Sequence, residues 1–133
     1  MKVFLIIYLF FVSFIFNLIQ KEKSFEESIS DGKLIYEDFC IQCHLFNGEG
    51  IEKIYPPLNN SDYLLKNLDK SIYSIKYGLT GEIIVNGIKY NGVMANQGLE
   101  DDEIADVMNY ITNSWDNSLN VQITTKRVNE LKK

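Results

Sequence analysis

The chain predicts an all-α fold with one short β-hairpin, built as a single small domain behind an apolar N-terminal segment. Three observations carry this prediction. Apolar residues recur at helical spacing in several separate stretches. Glycine, proline and asparagine clusters punctuate the chain between them. An Asn86-Gly87 pair stands between two short β-prone runs, the signal for a type I′ hairpin near residues 82–90. A length of 133 residues allows one domain.

The N-terminal segment comes first. Residues 3 to 19 read VFLIIYLFFVSFIFNLI, with only Ser13 and Asn17 polar. The run is apolar on every face, which argues against a core helix of a soluble domain. It is long for a signal-peptide core, and no small-residue cleavage site follows it closely. Residues 1–20 are therefore expected to be an uncleaved anchor helix. The alternative is a signal segment removed to give a soluble periplasmic protein. Either reading exports the remainder. Residues 21–30, KEKSFEESIS, read as a polar linker. Residues 31–116 make up the domain, and residues 117–133 a C-terminal extension with a short helix.

Within the domain, Asp31 to about Cys40 predicts a first helix, with Leu34, Ile35 and Phe39 at helical spacing. Residues 44 to 60 hold Gly48, Gly50, Pro56, Pro57, Asn59 and Asn60, the composition of an irregular loop. Ser61 is placed to cap one short helix and Asp69 a second that ends at Gly78. The hairpin follows, then a glycine-flanked loop, NGVMANQG. Residues 101–114 predict the strongest helix: Asp101, Asp102 and Glu103 suit its N-terminus, and Ile104, Val107, Met108 and Ile111 form one apolar stripe. A last short helix starts after Thr124 and includes Val128 and Leu131.

The chemistry is concentrated in one pentapeptide. Cys40-Ile41-Gln42-Cys43-His44 contains both cysteines and the single histidine of the chain. Random placement gives such a cluster with a probability on the order of 10⁻⁴. A disulfide between Cys40 and Cys43 would close too short a loop to stabilise much, and would leave His44 unexplained. A thioredoxin-like redox pair wants a βαβ framework that the pattern lacks. Zinc wants about four ligands, and no second metal-binding pair exists. Covalent haem attachment explains all three residues. Cys40 and Cys43, three apart on a helical turn, share a face and can each form a thioether to a vinyl group, and His44 supplies an axial nitrogen to the iron. One haem c would also act as the staple that a body of this size needs.

The second axial ligand cannot be histidine. Lysine and tyrosine are rarer ligands than methionine, and the methionines are Met1, Met94 and Met108. Met1 lies in the N-terminal segment, and Met108 sits on the apolar stripe and reads as core. Met94, between Gly92 and Gly98 and near Tyr90, is the expected iron ligand, with Tyr90 assigned to the haem pocket. His/Met ligation raises the reduction potential and leaves no site for a small-molecule substrate. That favours a one-electron carrier, not an enzyme, working between redox partner proteins of periplasmic or membrane respiratory oxidoreductases. The alternatives are a haem c subunit of a larger dehydrogenase or reductase complex, and a haem enzyme or gas sensor with an open sixth position. With 18 acidic against 13 basic residues and a net charge of −5, a nucleic-acid partner is disfavoured.

Over about residues 30 to 115 the chain resembles the class I cytochrome c family, in particular small bacterial exported members. Gly32 and Tyr36 resemble the glycine and aromatic with which that family's first helix crosses its last, and Val107 and Tyr110 the residues that answer them. The segment Tyr55-Pro56-Pro57-Leu58 is similar to the family's proline segment. The resemblance implies that the Pro56 carbonyl accepts the hydrogen bond of the second nitrogen of His44. Two departures stand out: Ala95 follows Met94 where the family often has proline, and Glu100 stands where a serine cap often begins the last helix.

Overall fold

The structure, a computed structural model, describes residues 4, 6–8, 10–12 and 23–133. In the N-terminal run the described positions are helical and their side chains exposed, Phe4 and Phe10 among them. The rest of the anchor or signal assigned to residues 1–20 lies outside the described residues. Among those described, no helix is long and apolar enough to cross a membrane. From residue 23 the elements run α1 (Phe25–Phe39), α2 (Ile41–His44), α3 (Asp62–Lys66), α4 (Leu68–Tyr77), β1 (Leu79–Val85), β2 (Ile88–Met94), α5 (Asp101–Ile111) and α6 (Thr125–Glu130).

Helix α1 starts well before Asp31, which corrects the linker expected over residues 21–30. The Ser24 hydroxyl caps it by accepting from the Glu27 N–H at 3.2 Å, and Glu26 and Glu27 sit favourably at the positive end of the helix. Ser24-x-x-Glu27 is the spacing of a capping box. The polarity of this stretch serves contacts with α5. Ser28 Oγ donates to Asp106 Oδ1 at 2.5 Å, and Lys23 Nζ pairs with Asp106 Oδ2 at 2.5 Å and with Asp31 Oδ2 at 2.8 Å. The buried face of α1 is Ser28, Gly32 and Tyr36, whereas Leu34 and Phe39, expected as part of the apolar stripe, are exposed.

Gly32 explains how the two helices approach. A Cβ at this position would overlap the Asp106 carbonyl and stand 2.9 Å from Tyr110 Cβ. The crossing therefore forms backbone against backbone. Tyr36 then packs tilted against Tyr110 and edge-to-face with Trp115, with ring centroids 5.5 and 5.3 Å away.

The rest follows the chain. Ser61 caps α3 by accepting from the Leu64 N–H at 3.2 Å. Helix α4 begins after Asn67, not at Asp69, and ends at Gly78 with φ +85°. Strands β1 and β2 pair antiparallel from Leu79↔Met94 to Val85↔Ile88, so the hairpin is longer than residues 82–90. Asn86 (φ +52°) and Gly87 (φ +79°) both have the positive φ that a type I′ turn requires.

Helix α5 lacks a serine cap, but the Glu103 carboxylate accepts from the Glu100 N–H at 2.8 Å. It stops at Ile111, and the Thr112 hydroxyl donates back to the Met108 carbonyl at 2.7 Å. Ile104, Val107, Met108 and Ile111 are all buried, as the stripe implied. Residues 117–133 add to the same core instead of trailing from it, since Ile123 and Val128 are fully buried. Asn109 holds this segment: its Nδ2 donates to the Ile123 carbonyl at 2.8 Å and its Oδ1 accepts from the Ile123 N–H at 2.6 Å. Lys76 also ties it down, with Nζ 2.9 Å from the Val128 carbonyl and 2.8 Å from Asp101 Oδ1.

Gly32→Ala is expected to destabilise the fold by about 3 kcal/mol, the upper part of the usual overpacking range, because the clash is with backbone. Urea unfolding followed by far-UV circular dichroism checks this. A loss below about 1 kcal/mol would mean that the crossing has slack.

Candidate functional site

The site grows from the end of α1. Cys40 closes that helix, its N–H donating to the Tyr36 carbonyl, and the chain restarts as the single turn α2. Within this turn the His44 N–H donates to the Cys40 carbonyl at 2.9 Å, so both cysteines and the histidine share one local frame. Leu45, at φ +63°, ends the turn, and its carbonyl accepts from the Tyr36 hydroxyl at 2.7 Å. The chain then leaves as a loop that returns at Pro56. Gly50 is needed on the way: it has φ +63°, and a Cβ there would overlap the Tyr55 carbonyl.

His44 is buried, and its Nδ1 lies 2.9 Å from the Pro56 carbonyl. A carbonyl only accepts, so Nδ1 carries the proton and Nε2 keeps its lone pair. Burial holds the imidazole pKa below its usual value, and the hydrogen bond to Pro56 opposes this only in part. The ring is therefore a neutral ligand-type imidazole with one nitrogen committed to the protein. Burial first, and the neighbouring Cys43 second, push the Cys40 thiol up to about 12. Such a thiol is a poor thiolate donor for a metal or for redox exchange. Conversion to a thioether suits it, because that removes the ionisable group from an apolar wall. Neither cysteine is in a disulfide, and among the described residues no cluster of three or more His, Cys, Asp or Glu side chains could hold a metal ion.

Cys40 and His44 open onto a partly open, apolar cavity. Pro56, Leu64, Ile75, Met94, Val107 and Ile111 are among its walls, and among the described residues no Asp, Glu, Lys or Arg lines it. An apolar slot with the Cys40 thiol on its wall, Cys43 in the same helical turn, one prepared imidazole nitrogen and one thioether offers the donor set that a covalently attached haem requires.

Met94 reaches this cavity from a position that its sequence context does not suggest. It is the last residue of β2 and is paired with Leu79, which also lines the cavity; it does not lie in an open loop. Gly78 lets the chain pass, since a Cβ there would stand 2.9 Å from the Met94 carbonyl. Met108 is fully buried in the core and is not part of the cavity wall. Tyr90 is buried on β2, but it does not line the cavity, and neither does Cys43. Trp115 packs on Tyr36, Tyr110 and Gly48. No pattern in the sequence points to Tyr63, Ser71 and Ser74, which also line the cavity, or to Asn117 behind it.

Residues 29–115 match the family model for Cytochrome c. Two proteins named cytochrome c-552, both from Thermus thermophilus, are each 41% identical over 98 residues. The alignments cover 70% of this chain, with 74% of the first relative and 66% of the second.

Replacing Cys40 and Cys43 together by alanine is expected to abolish haem staining after denaturing electrophoresis, with the wild type staining fully. Persistent stain in the double variant would contradict covalent attachment at this pair.

Proposed function

Since the chain belongs to the cytochrome c family and carries one covalently attached haem c, we propose that it is a one-electron carrier whose iron is held axially by His44 and Met94. The observation that carries this reading is that His44 and Met94 line the same cavity as Cys40, while Met108, the other described methionine, does not. When bound, the haem supplies a reversible Fe(III)/Fe(II) couple.

The chain's own residues account for the rest. Cys40 and Cys43 hold the group covalently, so it is not lost outside the cytoplasm. The Pro56 carbonyl keeps the Nδ1 proton of His44, fixing the tautomer and raising the basicity of Nε2. The Met94 thioether, on the same cavity, would serve as the second iron ligand and raise the reduction potential. Were His44 and Met94 both bound to the iron, no position on it would remain for a small-molecule substrate. The apolar walls exclude water and keep the surroundings similar in both oxidation states.

Electrons then pass to and from partner proteins. Ile54 and Val93 are exposed apolar side chains on adjoining backbone: the loop carrying Ile54 runs beside Gly92 of β2. They offer a small apolar rim close to Met94, suited to brief encounters with respiratory oxidoreductases. The apolar run in residues 1–20 supports an exported chain held at the periplasmic face of the inner membrane. The alternative is a soluble periplasmic form after cleavage, and the mass of the mature chain distinguishes the two. Because α1 begins at Phe25, any tether to such an anchor is shorter than the linker expected over residues 21–30.

Met94→Ala is expected to lower the reduction potential by on the order of 0.2 V, a fraction of the roughly 0.8 V over which axial ligands act. It should also admit cyanide rapidly. Potentiometric titration and stopped-flow binding check both. An unchanged potential would remove Met94 as a ligand.

A further inference from the structure

The hydrogen bond from His44 to Pro56 depends on where the Pro56 carbonyl is held, and Pro56 sits in an irregular loop. Two features fix that loop. It closes on itself at its base, where the Gly48 carbonyl accepts from the Leu58 N–H at 2.7 Å and the Asn59 N–H at 2.9 Å. The base is then gripped by the three residues Trp115, Asp116 and Asn117, which lie beyond the end of α5.

Asn117 is the centre of this grip. It is only 4% exposed. Its Oδ1 accepts from the Asn60 N–H at 3.0 Å, and its Nδ2 donates to the Leu58 carbonyl at 2.8 Å and to the Ile111 carbonyl at 2.7 Å. Ile111 is the last residue of α5, and both Ile111 and Leu58 line the haem cavity. One buried amide therefore joins the loop, two residues after Pro56, to a cavity wall far from it in sequence. On one side the Asp116 N–H donates to Asn59 Oδ1 at 3.3 Å. On the other, the Trp115 ring covers Gly48, where a Cβ would come within 2.5 Å of it. Trp115 has φ +58°, a region that bulky residues enter only when packing imposes it.

We propose that Asn117, supported by Trp115, is the positioning residue that sets the Pro56 carbonyl and so controls the hydrogen bond of His44. The inference rests on the reading of His44 as an axial ligand. Removing the amide leaves the Leu58 and Ile111 carbonyls and the Asn60 N–H without their partner. The loop then opens locally, and the Nδ1 proton of His44 becomes accessible to solvent without unfolding of the core.

The test is proton NMR of the reduced, haem-loaded protein. It follows solvent exchange of the His44 Nδ1 proton and of the Ile72 backbone amide in α4, the internal reference. In Asn117→Ala the His44 proton is expected to exchange roughly tenfold faster, the equivalent of one lost hydrogen bond, with the Ile72 amide unchanged. Asn117→Asp is near-isosteric and keeps the acceptor for Asn60 while losing both donors; it should show the same selective effect and serves if the alanine variant does not fold. Equal acceleration at both protons, or none at His44, would overturn the proposal. The wild-type spectrum separates the two readings. His44 ring protons that lack the strong upfield shift of a group facing the porphyrin would reject ligation itself. Shifted ring protons with unaltered exchange in the variants would reject only the role of Asn117.

Discussion

One hydrogen bond organises the molecule around its cofactor: His44 Nδ1 to the Pro56 carbonyl. It decides which imidazole nitrogen is free, and it requires that an irregular loop return to a fixed place. Much of the surrounding sequence is intelligible as a way of meeting that requirement. Gly50 lets the loop turn where a side chain would overlap the Tyr55 carbonyl. Gly48 closes its base, and the Tyr36 hydroxyl holds the Leu45 carbonyl at its start. Tyr36 in turn is placed by the crossing of α1 and α5, which Gly32 makes possible. The geometry at His44 thus depends on a helix contact formed some distance away along the chain, by Gly32, Asp106 and Tyr110.

The haem site places a burden on a small domain, because part of the apolar interior is given over to lining it. Stability must come from elsewhere in the chain until the cofactor completes the core. The polar links between α1, α5 and the C-terminal segment answer this. Lys23, Ser28 and Asp106 join the first helix to α5, and Asn109 joins Ser28 to Ile123. Asp106 is almost fully buried, so its charge is tolerable only because Lys23 and Ser28 both reach it. Among the described residues, no buried side-chain nitrogen or oxygen lacks a hydrogen-bond partner. The network also explains why Ile123 and Val128, beyond the segment that matches the family, belong to the core.

What the sequence discloses and what it hides divide along physical lines. Local signals are readable. Asn86-Gly87 demands a type I′ turn, Ser61 and Thr124 are caps, and the stripe on α5 is a core face. The pentapeptide is readable because a thiol pair and an imidazole in one helical turn admit few other uses. The early start of α1 is hidden, although Ser24-x-x-Glu27 signals it, because the polarity of the segment looks like solvation. The polar residues there instead bond to Asp106 and Asn109, partners far along the chain that no local pattern reveals. The same holds for Asn117, a single asparagine in a loop that acquires meaning only beside Leu58. Met94 stands out by its side chain, but its glycine-flanked setting suggests a loop, because the pairing that keeps it in β2 depends on Leu79. Nearness to Met94 draws Tyr90 toward the pocket, whereas along β2 it is buried away from the cavity wall.

These features support the proposal of a closed iron site. An imidazole with its proton committed to the protein, a thioether on the same apolar cavity and a pair of thiols in one helical turn are the donors that the proposed electron-transfer centre needs. The most direct measurement is the absorption spectrum of the oxidised wild-type protein, extended into the far red. Iron bound by both His44 and Met94 gives a six-coordinate, low-spin spectrum with the weak sulfur-to-iron band of a methionine ligand. A high-spin spectrum without that band would contradict this ligation.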